Sequence, residues 1–169
     1  AMAESIPEVW LRGPIDGIQP LLQPAAHALV QAGEDVLPIV RGLTPDQLWR
    51  RPGGAASIGF HLAHLPGSVG RLLTYSRGAA LSEQQLAALA AERTIHDDRP
   101  DLTTLMTKFS AGIDAAIAYL RTVPSESLLQ LREVGRKKLP STTLGLIFHA
   151  AEHSSRHAGQ IVTLVKVVQ

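Results

Sequence analysis

The stretch LIFHAAEHSSRHAGQIVTLV, residues 146–165, decides the fold. Its apolar positions Leu146, Ala150, Ile161 and Leu164, continued by Val168, share a heptad-like spacing with His153 and His157. That is the pattern of a long amphipathic helix whose seam faces a packed interior, and it leaves His149 to one side. Residues four apart lie on one helix face, about 6 Å apart along the axis, so His153 and His157 can offer two imidazole nitrogens to one ion. His149 and His157 are about 12 Å apart along that axis, too far for both to reach a metal bound at about 2.1 Å.

Three further helical patterns precede this one. The first runs from about Pro20 to Gly42 through Leu22, Ala25, Leu29, Ala32, Val36 and Ile39, with Pro38 expected to bend or shorten it. The second runs from Ile58 to about Ser76, capped by Ser57, with Leu62, Leu65, Val69 and Leu72 on its stripe and a kink expected at Pro66. The third runs from about Asp101 to Thr122, and Pro124 stops it. Short helices are expected between them: Thr44-Pro45-Asp46-Gln47 through Trp49, Ser82-Glu83-Gln84-Gln85 to about Arg93, and Ser125 to Glu133. His96 to Pro100 and Gly135 to Pro140 read as connections, and no segment reads as a strand. The fold class is therefore all-α, a four-helix bundle with short connecting helices, forming one domain over residues 1–169 with residues 1–19 as an N-terminal arm.

Composition agrees. The 169 residues are 45% hydrophobic but only 4% aromatic, which suits helices packed through Leu, Ala, Val and Ile. With no cysteine, disulfides, iron–sulfur clusters and thiolate zinc sites are excluded, so any metal is held by His, Asp, Glu or backbone oxygen. The arm carries Glu4, Glu8, Arg12 and Asp16 without a long apolar run, which reads as neither signal peptide nor membrane anchor; Met2 reads as the natural start and the protein as cytoplasmic. A net charge of +1 gives no reason to expect nucleic acid or membrane as a partner, and the basic cluster Arg132 to Lys138 reads as a solvated loop.

Five of the seven histidines fall in two segments, His61 and His64 on the second long helix and His149, His153 and His157 on the last. Two imidazoles on an apolar seam are costly to bury without partners, and coordination satisfies them while fixing their orientation. The third ligand must come from another helix. A regular helix puts His61 at the edge of the apolar stripe and His64 farther round, but Pro66 distorts that turn, so the residues alone leave both open. His27 reads as a half-buried, hydrogen-bonded histidine and His96 as a loop residue. Glu152, Glu34 and Asp35 read as solvated charges, and Trp10 and Trp49 as packing anchors.

Ser57-Ile58-Gly59 with His64-Leu65 beyond it, Leu48-Trp49-Arg50-Arg51-Pro52-Gly53-Gly54 before it, and His153-x-x-x-His157-Ala158-Gly159-Gln160 resemble the DinB/YfiT family of metal-binding four-helix bundles. The resemblance implies a divalent ion, commonly nickel or zinc, held by His64, His153 and His157, and so selects His64 over His61. Relatives usually carry Arg directly before the Gly-Gln pair, where this chain has Ala158, with Arg156 two residues earlier. Three imidazoles leave coordination positions open, the arrangement of a catalytic site. Some relatives transfer low-molecular-weight thiols, so a thiol S-transferase acting on a small-molecule substrate is the leading expectation, with no catalytic residue assigned. A non-catalytic metal- or small-ligand-binding bundle is the alternative, with a second copy of the chain, as a homodimer, a candidate partner. His27, His61, His149, Arg156 and Gln160 are the candidates for supporting the ligands or touching substrate.

Overall fold

Capping hydroxyls and prolines set the element boundaries. The computed structural model describes residues 5–169, so Met2 and Glu4 of the arm lie outside the described residues. After a 3-10 turn at Pro20–Leu22, α1 spans Gln23–Val40, and Pro38 sits within its last turn without ending it. Helix α2 spans Pro45–Trp49 behind a complete capping box, in which Thr44 accepts from the Gln47 amide and the Gln47 side chain accepts from the Thr44 amide. Helix α3 spans Ile58–Ser76, with Ser57 accepting from the Phe60 amide and Pro66 in its interior.

A second capping box, Ser82 with Gln85, opens α4 at Glu83–Ala91. A 3-10 turn at Glu92–Thr94 leads into α5, Ile95–Asp98, and Asp101 caps α6, Leu102–Leu120. Strands β1, Leu131–Val134, and β2, Leu139–Thr142, pair antiparallel with Leu131 opposite Thr142. Helix α7 spans Thr143–Val168, capped by Thr142.

The four long helices close a ring: α7 packs on α1 and α3, and α6 packs on the same two from the other side. The chain is all-α in class, with one small hairpin. Its core joins Leu22, Leu29, Val36, Leu62, Leu65, Phe109, Leu120, Ile147 and Ile161, all essentially inaccessible. Close approach depends on glycine at two places: a Cβ on Gly59 would lie 2.6 Å from the Trp49 ring, and one on Gly112 would lie 2.6 Å from Pro66 Cβ. Trp49 is thus a packing anchor of α2 on α3, as its sequence context suggests. Among the described residues, no helix is long and apolar enough to cross a membrane.

Three expectations need correction. The helix expected over Ser125 to Glu133 is only a 3-10 turn, Ser125–Ser127, followed by β1, so strand structure does occur. The supposed solvated loop at 132–138 is this hairpin and its turn. It is tied to the bundle where Arg132 Nε and Thr143 Oγ1 both donate to the Ser76 carbonyl, at 2.8 and 3.3 Å. Trp10 anchors nothing: it is 62% exposed, its indole donating to neighbouring Glu8.

Candidate metal centre

Helices α3 and α7 form an extensive helix–helix contact, and both carry histidines on the shared edge. The buried stripe of α7 runs through Ile147, Ala150, Ala151, Ser154, Ala158, Ile161 and Val165, mostly small residues that let α3 come close. His153 and His157 flank that stripe, half-buried. His64 reaches them from α3. Its Nε2 lies 3.2 Å from His153 Nε2, which lies 3.1 Å from His157 Nε2. One nitrogen from each ring falls within a common 4.8 Å sphere of mutual distances, the only such group of three among the described residues.

The spacing fits a metal ion. Two nitrogens each about 2.1 Å from a tetrahedral centre stand about 3.4 Å apart, so 3.1 and 3.2 Å require little adjustment. An all-imidazole donor set suits a borderline cation such as zinc or nickel better than calcium or magnesium, which take oxygen.

The far edge of each ring is also engaged. His64 Nδ1 donates to Glu92 Oε2 at 2.8 Å, and Glu92 Oε1 accepts from Arg71 at 2.8 Å. Burial opposes a charge on Glu92, but the hydrogen bonds from His64 and Arg71 outweigh it and hold the carboxyl below the usual range. Phe60 stacks on His64 with ring centroids 5.2 Å apart. His157 Nδ1 lies 2.8 Å from His61 Nδ1, and His61 is 3% exposed. Arg156 donates to His153 Nδ1 at 3.2 Å while its other bonds go to Glu152.

Sequence reasoning missed Glu92 because nothing in a short solvent-exposed helix marks one carboxylate as facing a histidine 28 positions earlier. His96 departs from its reading as a loop residue. It lies on α5, stacks near Phe60, and places Nε2 2.9 Å from the Ser57 hydroxyl, stitching α5 to the cap of α3. His27 donates to the Gly13 carbonyl, away from the cluster. His149 is exposed and pairs with Glu152, which also binds Arg156. Glu34 pairs with Arg12 at the surface. Gln160 and Arg156, with His61, Gly159 and Thr163, line a cleft of about 450 Å3 beside the cluster.

Burial, reinforced by the neighbouring imidazoles, lowers His61 to about 4 and His157 to about 3, and moves His153 in the same direction. These rings are neutral near pH 7, as ligation requires. In the unfolded chain they titrate near about 6.5, so below that value the unfolded state binds more protons and the folded state is weakened. Denaturant titrations of chelator-treated protein should therefore show stability intact above about pH 6.5 and falling as pH drops through 4 towards 3. A flat profile between 6.5 and 4 would contradict the neutral, buried state of these rings.

The family model for the DinB superfamily matches residues 28–161, most of the chain and all three converging histidines. None of the curated proteins matches it.

Proposed function

The chain belongs to the DinB superfamily, and from that premise we propose that His64, His153 and His157 bind a divalent cation, zinc or nickel, in a site that serves thiol chemistry on a small molecule. The observation that carries this is the convergence of three imidazoles, with His64 Nε2 and His157 Nε2 lying 3.2 and 3.1 Å from His153 Nε2 and one nitrogen from each ring within 4.8 Å of the others, while Glu92 and His61 hold the opposite ring edges of His64 and His157. A divalent ion held there by three ligands supplies a Lewis acid with room for one or two further groups, which favours the anionic form of a nearby thiol or water near neutral pH.

The chain's own residues supply the rest. Arg156 and Gln160 border the cleft beside the cluster and are placed to orient the polar part of a substrate. Arg156 keeps most of its hydrogen bonding on Glu152, whose carboxyl is lowered chiefly by that arginine, so substrate recognition has to compete with this pair. In S-transfer the thiol sulfur bonds to an electrophilic carbon, the thiol proton passes to solvent, and the leaving group departs from that carbon.

Elemental analysis of purified protein should give about one zinc or nickel per chain, removed by a strong chelator and restored by either ion. Metal-loaded protein should then accelerate conjugation of a low-molecular-weight thiol from a broad panel to model electrophiles, and chelated protein should not. Bound metal without turnover across the panel would reject S-transfer and keep the binding site; absence of metal uptake would reject both.

A further inference from the structure

We infer that His61 is a positioning residue of the metal centre, whose buried Nδ1 accepts the His157 Nδ1 proton and so leaves the His157 Nε2 lone pair free for a cation. This rests on the reading of His157 as a ligand, but the observations supporting it stand apart from any ion.

The protons can be assigned from the hydrogen bonds alone. A guanidinium only donates, so in the metal-free protein the 3.2 Å contact from Arg156 makes His153 Nδ1 an acceptor, and a neutral His153 carries its proton on Nε2. Ligation through Nε2 requires this proton to leave and Nδ1 to carry one instead, which the exposed Arg156 permits by keeping only its bonds to Glu152. In the metal-free protein the His153 Nε2–H points at His157 Nε2, 3.1 Å away, and at His64 Nε2, 3.2 Å away. Two N–H groups cannot face each other at such distances, so both partners present lone pairs. His64 accordingly keeps its proton on Nδ1, where Glu92 accepts it. His157 keeps its proton on Nδ1, and the atom 2.8 Å from that position is Nδ1 of His61.

His61 therefore accepts on Nδ1 and carries its own proton on Nε2. Its burial fixes the ring, and its place on α3 one turn before His64 lets a single helix supply both a ligand and the support of another ligand. Ligating histidines commonly give their second ring N–H to such a partner, and losing it weakens metal binding by roughly 10–100-fold. Here an imidazole fills the place usually taken by a carboxylate or carbonyl. His61 is thus not an alternative to His64: it stands behind His157, on the side away from the shared point.

The test compares cobalt and zinc affinity, by chelator competition, in wild-type protein, His61→Leu and His61→Asn. Leucine fills the buried space without an acceptor, whereas the Asn Oδ1 sits close to where Nδ1 was. His61→Leu should bind each ion roughly 10–100-fold more weakly, and His61→Asn should recover most of the loss. Equal affinity in wild type and His61→Leu would overturn the inference. So would abolished binding in both His61 variants with retained binding in His64→Ala, because His61 would then be a ligand itself. Imidazole 15N shifts of metal-free protein decide the point separately: His157 protonated at Nδ1 in wild type, and mixed tautomers in His61→Leu, support it. An Nε2-protonated His157 in wild type overturns it. If wild-type protein takes up neither ion, the metal reading fails while these shifts still judge the His61–His157 pair.

Discussion

His157→Ala is expected to lower the affinity for zinc or nickel by more than about 100-fold and to erase the rise in melting midpoint that the ion gives wild-type protein. The size follows from the roughly 10–16 kcal/mol by which four-ligand zinc sites bind, or about 3 kcal/mol for each ligand. His157 should sit at the upper end because both of its nitrogens are engaged, Nε2 towards His153 and Nδ1 on His61. With the ion at a hundred times its dissociation constant, wild-type protein gains about 2.7 kcal/mol of stability, and the variant should gain almost none. Competition titration and paired melts with and without chelator measure both effects. Although His157 flanks the buried stripe of α7 and lies outside its centre, its loss leaves buried His61 without a partner, so metal-free His157→Ala should be less stable than metal-free wild type by about 1–3 kcal/mol, and the metal effect is read as the difference between the paired melts. Metal affinity within a few-fold of wild type would remove His157 from the site.

The second large effect concerns the interior. Phe109→Ala is expected to cost about 3–5 kcal/mol in denaturant unfolding, because the ring is 0% exposed within the main core and the helices around it are held apart by other side chains. On α6 it lies one turn before Gly112, where the Pro66 ring of α3 already occupies the available space. The cavity left by the ring thus cannot be closed simply by moving α6 towards α3. Against a typical total of about 5–15 kcal/mol, this loss would leave a visibly fragile protein. A loss below about 1 kcal/mol would show that the interior collapses around the gap.

The long helices were legible because each carries its own evidence: Ser57, Asp101 and Thr142 accept from amides three residues on, and aliphatic residues recur at helical spacing. The hairpin was not. Leu131 and Leu139 are 82% and 57% exposed, so no apolar alternation marks a buried face, and the strands are placed by distant contacts such as Arg132 to Ser76. At the histidine cluster, spacing on α7 was enough to pair His153 with His157. Helical angles on α3 could not separate His61 from His64, because that choice depends on how α3 rotates against α7 and on Glu92 beyond it. Glu92 and the role of His96 depend on where the α4–α5 excursion comes to rest, and local sequence carries no record of that.

Helix α4 buries none of its residues and is held chiefly by the Gln85 amide on Thr74 and Gly70. Such a segment opens at low free energy, well before the bundle does. It ends one residue before Glu92, whose carboxylate is the brace behind His64. Subglobal opening of this exposed turn would therefore slacken one wall of the proposed cation site while the four long helices stay shut, so exchange of an ion bound there need not wait for the protein to unfold.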